Sequence, residues 1–583
     1  MNSVSSTVPT AATAQEKTPR SAVERVSSVC SFVLLLGGVL IIALALYMVV
    51  VSYSPLPLWD GWMEVQIAAH GLNLLSPGWL WERDNEHRLV IPKLFLAADL
   101  GLFQGRQIFL LASIFAVQLL HLFLLSWSMR VLGGWRGALW RTGTGLAAFC
   151  LFYPSQYQNF TSGFQICFVL PQFLGTVSFV GLLLYWSRSQ QHPEKRWSRF
   201  LVISIAAAVA ATYSLANGML LWPLLLLAAG YLHLRRSAIL AYAVSAALSI
   251  GLYFYRLNLS SRWEQPANTV ASRIPSPQVL LNFVEKYLAG RALLVGMLFL
   301  GALAIFLLVL FPALAYLRRR SAFGMQLILQ ILFWGGSILL IVVGRANQGI
   351  ESRYHTVALL FFCSVCLLLL GYASSATGRL SSAFLPAQIL LLVIVVVGAT
   401  EAQRPIEEAR RQGFLVNAAA ASLVSGVVDA ETLAKDFPFL DLLLWTARYL
   451  EVHHLSVFAT PMASELGKPL QETFPVVSSA GCTGALENVV ALDDPRGPGL
   501  RLTGWAWDVK RQRPASGIVV ASNGTIQGVG AIGDRRPDVL PVGTANSHAG
   551  YIAYAPRPSG IAVVNVYALL DGSPRQACLV ATQ

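Results

Sequence analysis

Long apolar runs separated by short polar loops dominate roughly the first 400 residues of the chain. A helix needs about 20 residues to cross the hydrocarbon core of a bilayer. The runs predict eleven transmembrane spans, at 29–52, 106–127, 138–153, 164–186, 199–214, 217–233, 238–256, 290–317, 323–344, 354–373 and 380–399. The pattern therefore predicts a polytopic α-helical membrane protein, with residues 29–400 as its multi-span domain.

The pattern changes on either side of these spans. Residues 401–478 place apolar and charged positions at helical spacing and predict a helical linker. From residue 479 onward, short apolar runs such as "GIVVASNG" and "AGYIAYAP" are separated by turn-forming residues, as is typical of strands. Residues 479–583 therefore predict a small all-β domain of the sandwich type. Residues 1–28 are rich in Ser, Thr and Ala and predict a disordered tail.

Basic residues indicate the orientation of the spans. With eleven spans, five loops containing Lys or Arg fall on one side, and such an excess marks the cytoplasmic side of a membrane. The five loops contain Arg130, Arg136 and Arg141; Arg188, Lys195, Arg196 and Arg199; Arg235 and Arg236; Arg318, Arg319 and Arg320; and Arg379. The N terminus is then cytoplasmic, in a bacterial inner membrane. The long first outer loop, 53–105, and everything after about residue 400 are extracytoplasmic.

The formal net charge of +13 changes the picture little, because charged residues make up only 12% of the chain. The basic residues lie between apolar runs and form no patch interleaved with aromatic residues. We therefore expect the lipid bilayer, and no nucleic acid, as a partner. Cys482 and Cys578 lie outside the predicted spans, and an oxidising compartment favours a disulfide between them. The alternative is two reduced thiols.

Polar motifs recur at the outer ends of the predicted spans: "WDGW", "DNEHRLVIPKL", "SQYQNFTSGFQI", "YSLANGMLLWP" and "GRANQGIESRY". In order and placement they resemble the GT-C class of integral membrane glycosyltransferases, over roughly residues 29–400. The resemblance implies transfer of a sugar from a polyprenyl-phosphate donor to a glycan, lipid or protein acceptor at the extracytoplasmic face. The chain departs from the class in one respect, since Gly61 follows Asp60 where the class has a second acid.

An inverting transfer from a sugar phosphate needs a carboxylate that takes the proton from the acceptor hydroxyl. Asp60 directly follows the first span and is the expected catalytic base, although the acids of "ERDNEH" remain alternatives. Trp59 and Trp62 flank it and are expected to stack on a sugar. In the alternative interpretation, the tryptophans belong to the aromatic belt of the membrane interface and Asp60 only caps a helix.

Eight further polar side chains are expected to bind substrate: Glu86, His87, Arg88, Arg345, Arg353, Tyr354, Gln158 and Gln165. Arginines hold phosphate through charge-assisted hydrogen bonds, and the resemblance implies this role for Arg353 and Tyr354. Alternatively, the charges pair with one another, the arginines extend to the interface, and the amides satisfy backbone groups. A divalent cation such as Mg or Mn, if one is used, would be bound by Asp60, Asp84 and His87.

Two other functions are compatible with the sequence. A glycolipid transporter or flippase predicts ionisable residues in the middle of spans and an internal repeat. A non-enzymatic scaffold that presents a carbohydrate-contacting β-domain predicts that the charges of the first loop are dispensable. The charges of this chain cluster at the outer ends of the spans, which favours the transferase.

Overall fold

The computed structural model describes residues 22–70, 75–84, 87–191, 198–255, 278, 293–308, 321–345, 351–375, 383–478, 481–539, 548–557 and 563–583. Its first helix begins at Ala22. Residues 22–28 are therefore helical, which corrects that part of the predicted disordered tail. Residues 1–21 lie outside the described residues.

The N-terminal part is helical. Its helices are α1 (Ala22–Val51), α2 (Asp60–Ala69), α3 (Pro77–Trp81), α4 (Val90–Leu102), α5 (Ile108–Val131), α6 (Gly137–Phe152), α7 (Gln158–Thr161), α8 (Ile166–Gln191), α9 (Ser198–Thr212), α10 (Leu221–Tyr231), α11 (Arg236–Phe254), α12 (Leu293–Leu308), α13 (Ala322–Arg345), α14 (His355–Ser375) and α15 (Phe384–Glu401). Short 3-10 turns lie at Pro154–Gln156, Gly163–Gln165, Ala216–Leu220 and Ser352–Tyr354.

Seven helices in the described part of the chain are long and apolar enough to cross a membrane: Ala22–Val51, Ile108–Val131, Gly163–Gln191, Arg236–Phe254, Ala322–Gly344, Ser352–Ser374 and Phe384–Val424. The other four predicted spans contain α6, α9, α10 and α12, which have 16, 15, 11 and 16 residues. Each predicted apolar run thus contains a helix. The seven long helices establish a multi-span protein, whereas the count of eleven and the orientation stay predictions.

Close packing of α1 against α6 holds one side of the bundle together. A Cβ atom placed on Gly145 of α6 would lie 2.5 Å from the backbone oxygen of Leu34 in α1. Small residues at helix interfaces allow backbones to approach in this way, and contacts at such short range stabilise helices in a lipid environment.

The first outer loop packs against the helices that follow the last span. These helices are α16 (Gln403–Val424), α17 (Ala430–Asp436), α18 (Leu440–Val452), α19 (Pro461–Ser464) and α20 (Leu470–Thr473), with a 3-10 turn at Ser456–Ala459. One hydrophobic core contains Trp62 and Trp79 of the loop, Phe437 and Leu443 of the helical region, and Val519 of the β-domain. Three parts that are separate in the sequence therefore share one core.

The C-terminal domain is built from strands β1 (Val476–Val477), β2 (Cys482–Leu492), β3 (Gly499–Asp508), β4 (Arg513–Pro514), β5 (Gly517–Ser522), β6 (Thr525–Asp534), β7 (Gly550–Pro556), β8 (Val564–Leu570) and β9 (Gln576–Thr582). They form one sheet in the order β1-β9-β8-β5-β6-β7-β3-β2, with β4 paired to β3. Neighbouring strands are antiparallel except β1 and β9, which are parallel.

The predicted sandwich is wrong in one respect, because a single curved sheet replaces two facing sheets. Cys482 of β2 and Cys578 of β9, near opposite ends of the strand order, are joined in a disulfide. Leu502, Val520 and Val566 fill the concave interior that this curvature creates. Strand patterning predicts which faces are buried, but one curved sheet and two facing sheets bury the same faces.

Candidate active site

Asp60 is the first residue of α2, and its neighbours on both sides contact one distant residue. The backbone N–H of Trp59 donates to the carbonyl oxygen of Asp436 at 3.2 Å. The indole Nε1 of Trp62 donates to Asp436 Oδ2 at 2.8 Å. Trp59 itself has φ 49° and ψ −119°, a left-handed backbone conformation that bulky residues rarely adopt.

Arg353, which is distant from Asp60 in the sequence, places its guanidinium next to the Asp60 carboxylate. Its Nη1 lies 3.8 Å from Asp60 Oδ2, and the side chains are 14% and 37% exposed respectively. The guanidinium also lies 5.4 Å from the ring centres of Phe168 and of Tyr354. Its Nε is buried and has no hydrogen-bond partner among the described residues. The guanidinium is thus not saturated by hydrogen bonds within the described residues, and Arg353 lines a cavity.

Two cavities meet at the Asp60–Arg353 pair. The first, of about 230 Å³, is lined mainly by the ends of spans, including Phe168 of α8 and Ile341 of α13. The second, of about 430 Å³, is lined by Trp59, Met63 and Glu351 and by residues 434 and 437–439 of the extramembrane helices. Asp60 and Arg353 line both cavities. A molecule in either cavity can therefore reach the same acid and the same cation.

Gln158 holds the turn that carries Arg353. Its Oε1 accepts from the backbone N–H of Arg353 at 3.1 Å, and its Nε2 donates to Glu351 Oε2 at 2.6 Å. Asn159 adds a hydrogen bond from Nδ2 to the carbonyl oxygen of Arg353 at 2.9 Å. The predicted contact of Gln158 with sugar hydroxyls is corrected accordingly, because its amide is used within the protein. Its role is to position the arginine.

Arg88 does not have the phosphate-binding role predicted for it. The side chain is buried, and Nε, Nη1 and Nη2 donate to the carbonyl oxygens of Tyr253, Trp81 and Tyr255 at 2.7, 2.6 and 2.6 Å. It lines neither of the two cavities. These bonds fasten the first outer loop to the C-terminal end of α11, so the arginine has a structural role.

Two further predictions are corrected by burial. Trp62 is 1% exposed and its indole is bound to Asp436, so it cannot stack on a sugar. Gln165 is 2% exposed and lies outside the linings of both cavities, so it is not placed to contact a sugar in either of them. Trp59, by contrast, lines the second cavity together with Asp60.

The other predicted site residues divide between the first cavity and the part of the chain that the structure does not describe. Asp84, His87 and Tyr354 line the first cavity together with Asp60. Backbone hydrogen bonds of 2.9 and 2.8 Å join Asp84 to His87. Glu86 lies outside the described residues. Arg345 ends α13, and its side chain also lies outside them.

Metal binding receives no support from the described residues. Asp60, Asp84 and His87 line one cavity, yet no group of three or more His, Cys, Asp or Glu side chains in the described ranges is placed to hold a metal ion. The predicted ligand set therefore does not converge, and we assign it no metal.

A buried ion pair between α2 and α4 was not predicted from the sequence. Lys93 Nζ lies 3.6 Å from Glu64 Oε2, with side-chain exposures of 1% and 2%. The same amine donates to the carbonyl oxygen of Glu82 at 2.7 Å and to that of Trp79 at 3.3 Å. Burial raises the pKa of Glu64, and the charge of Lys93 opposes that shift. Glu64 lies one helical turn after Asp60, so the pair ties α2 to α3 and α4.

Uncharged residues of the first cavity were also missed as site residues. Asn217 lies in the predicted motif "YSLANG", and its Nδ2 donates to Ser337 Oγ at 3.2 Å. Its Oδ1, like Oε1 of Gln172, is buried and has no hydrogen-bond partner within the described ranges. Both residues line the cavity.

No protein-family model matches the chain, and no curated protein matches it. A solved structure of ArnT from Cupriavidus metallidurans in the apo state is similar, with 14% sequence identity and a TM-score of 0.39. The match covers 71% of this chain and 87% of ArnT. A likeness this weak carries no argument about chemistry, so the functional conclusion depends on the geometry of the site.

Proposed function

We propose that the chain is an inverting membrane glycosyltransferase that uses a polyprenyl-phosphate sugar at the extracytoplasmic face. The observation that supports this most is the Asp60–Arg353 pair at 3.8 Å, placed where a cavity between span ends meets a cavity of the extramembrane helices. A transferase with a lipid-linked donor needs a base and a phosphate-binding cation between a membrane-side donor site and an outer acceptor site.

The first cavity suits the donor. Its walls include apolar side chains at the ends of α8 and α13, next to which a polyprenyl chain can stay in the bilayer. Arg353 would hold the phosphate, since its guanidinium is mostly buried and keeps a donor without a partner among the described residues. Asn217 and Gln172 line this cavity and would lie beside the sugar.

The second cavity suits the acceptor. Phe437 and Phe439, which follow α17, line it together with Trp59, and it is built largely from residues outside the spans. An acceptor with a polar hydroxyl-bearing end can therefore enter from the aqueous side. Glu351 and Asp60 line this cavity and can accept hydrogen bonds from the hydroxyl groups of the acceptor.

The reaction follows from this arrangement. The Asp60 carboxylate takes the proton of the acceptor hydroxyl, and the acceptor oxygen forms a bond to the anomeric carbon of the sugar. The bond between that carbon and the phosphate oxygen breaks, and polyprenyl phosphate leaves with the electron pair. Arg353 stabilises the negative charge that develops on the departing phosphate. Attack opposite the leaving group inverts the anomeric centre.

Reconstituted protein tests this proposal against the transporter and the scaffold. Proteoliposomes would receive a panel of radiolabelled polyprenyl-phosphate sugars with glycan, lipid and peptide acceptors. We expect one donor to be converted to polyprenyl phosphate with transfer of its label to an acceptor. Movement of an intact glycolipid across the bilayer without cleavage would instead identify a transporter, and neither activity would identify a scaffold.

A further inference from the structure

Asp436, in the helices that follow the last span, is hydrogen-bonded to residues before and after Asp60, the candidate base. Asp436 ends α17 and is 1% exposed. Its carbonyl oxygen accepts from the N–H of Trp59, and its Oδ2 accepts from Nε1 of Trp62. Asp60 lies between these two tryptophans, so a single residue constrains the backbone before the base and the side chain after it.

We propose that Asp436 is a positioning residue that fixes the first turn of α2 and thereby directs the Asp60 carboxylate toward the junction of the two cavities. Its importance for turnover rests on the proposed function, whereas its effect on the order of α2 does not.

The start of α2 needs this external support. Trp59 occupies the N-cap position with φ 49°, and its side chain makes no capping hydrogen bond. A bulky residue in the left-handed region is held there only when the surrounding structure fixes it. The two bonds to Asp436 supply that constraint at Trp59, directly before Asp60, and at Trp62, in the turn that follows it.

The support comes from a well-fixed part of the protein. Asp429, at the start of α17, accepts from the backbone N–H and the hydroxyl of Thr432. It also accepts from Tyr554 at 2.9 Å and from Arg501 at 3.1 Å, both in the β-domain. Asp436 at the other end of α17 is therefore anchored through that helix to the sheet. The extramembrane region thus completes a site whose other half is built on spans.

The carboxyl of Asp436 needs only one acceptor oxygen for this role. Its Oδ1 is buried and has no hydrogen-bond partner among the residues described. Burial raises the pKa of Asp436 well above its usual value, which favours the neutral form. An asparagine keeps the acceptor for Trp62 and the same shape, so Asp436→Asn should preserve the hold. Asp436→Leu should remove the bond to Trp62 while filling a similar volume, and it leaves the backbone bond to Trp59 in place.

Hydrogen exchange of the full-length protein in nanodiscs tests the structural half. The variants are Asp436→Asn, Asp436→Leu and Trp62→Phe, the last of which removes the indole donor from the other partner. Peptides covering residues 57–66 should exchange at least about tenfold faster in the Leu and Phe variants and at the wild-type rate in the Asn variant. Lys435→Gln is the matched control, because it changes an exposed side chain of α17 next to Asp436 and leaves both bonds to the tryptophans in place.

Turnover tests the catalytic half. A displacement of about 1 Å in a reacting group can cost about a hundredfold in rate, so kcat in Asp436→Leu should fall about 10- to 100-fold while KM for the polyprenyl-phosphate donor stays within about twofold. Asp436→Asn should keep kcat within about threefold of the wild type, as should Lys435→Gln. A merely structural role would lower the fraction of folded protein without this separation of kcat from KM.

Unchanged exchange at residues 57–66 in both Asp436→Leu and Trp62→Phe would overturn the inference, whatever the activity. Equal losses of kcat in the Asn and Leu variants would also overturn it, because the acceptor oxygen is kept in one of them. Full turnover in Asp60→Asn would instead refute the proposed base, while the exchange experiment would still decide whether Asp436 orders α2.

Discussion

Arg353→Lys separates a phosphate-binding arginine from one that merely extends to the interface. The lysine keeps the positive charge beside Asp60 but loses the planar fork that can hold two phosphate oxygens at once. A hydrogen bond to a charged group contributes about 1.5–3 kcal/mol. Since about 1.4 kcal/mol corresponds to tenfold in affinity, the loss of one such bond should weaken donor binding about 10- to 100-fold.

The assay is equilibrium binding of two ligands to protein in nanodiscs: the sugar-bearing donor and sugar-free polyprenyl phosphate. Both affinities should fall by the same factor in Arg353→Lys, because the lost contact is to the phosphate that they share. Arg353→Ala should fall further for both ligands, since it also leaves the Asp60 carboxylate without its neighbouring cation at 3.8 Å.

Arg88→Lys is the matched control. Arg88 is a buried arginine whose donors bind three carbonyl oxygens, so its replacement should lower thermal stability and leave both affinities unchanged. Unaltered affinity for polyprenyl phosphate in both variants of Arg353 would refute the phosphate-binding role. A loss in Arg88→Lys equal to that in Arg353→Lys would show that the effect comes from folding.

Three further predictions concern the rest of the chain. Mass spectrometry of non-reduced protein should find the Cys482–Cys578 peptides linked, and cutting this long-loop disulfide should cost roughly 3–5 kcal/mol; two unmodified thiols would contradict it. Reporter fusions after Arg320 and after Gln583 should report opposite sides of the membrane, and a common side would contradict the topology. Asp429→Ala should cost about 1–3 kcal/mol. Burial raises the pKa of Asp429, but its hydrogen bonds and Arg501 lower it by more, so the net pKa in the folded protein is lowered. The loss of stability in Asp429→Ala should therefore be full at pH 7 and fade in acid below the pKa of an unfolded aspartate; an equal loss at low pH would contradict that.

The sequence predicted the helical elements well because the length of a span is dictated by the bilayer. Every predicted apolar run contains a helix. Strand β1 (Val476–Val477) precedes the predicted boundary at residue 479, and β2 begins after it, at Cys482. The closure of the sheet was not predictable, because it depends on how far each strand pair twists. Alternation along a strand carries no information about that.

The sequence singled out individual charged residues of the candidate site but not their partners, because those partners lie far away in the sequence. Asp60 and Arg353 were identified separately, and the structure shows that they meet. Arg88 was misassigned because its partners are carbonyl oxygens of Tyr253 and Tyr255, and backbone acceptors leave no mark on composition. Asp436 went unnoticed for a related reason, since nothing in the sequence links the end of α17 to "WDGW".

Turnover by Asp60→Asn tests most directly whether Asp60 is the catalytic base. Asparagine has nearly the shape of aspartate but cannot accept the proton, and a positioned general base contributes about a hundred- to ten-thousandfold in rate. We expect a loss of kcat on that scale, with affinity for polyprenyl phosphate at least as high as in the wild type and with wild-type insertion in the membrane. Near-normal turnover in Asp60→Asn would show that Asp60 is not the base, and loss of turnover in Asp84→Asn instead would place the base among the acids of "ERDNEH".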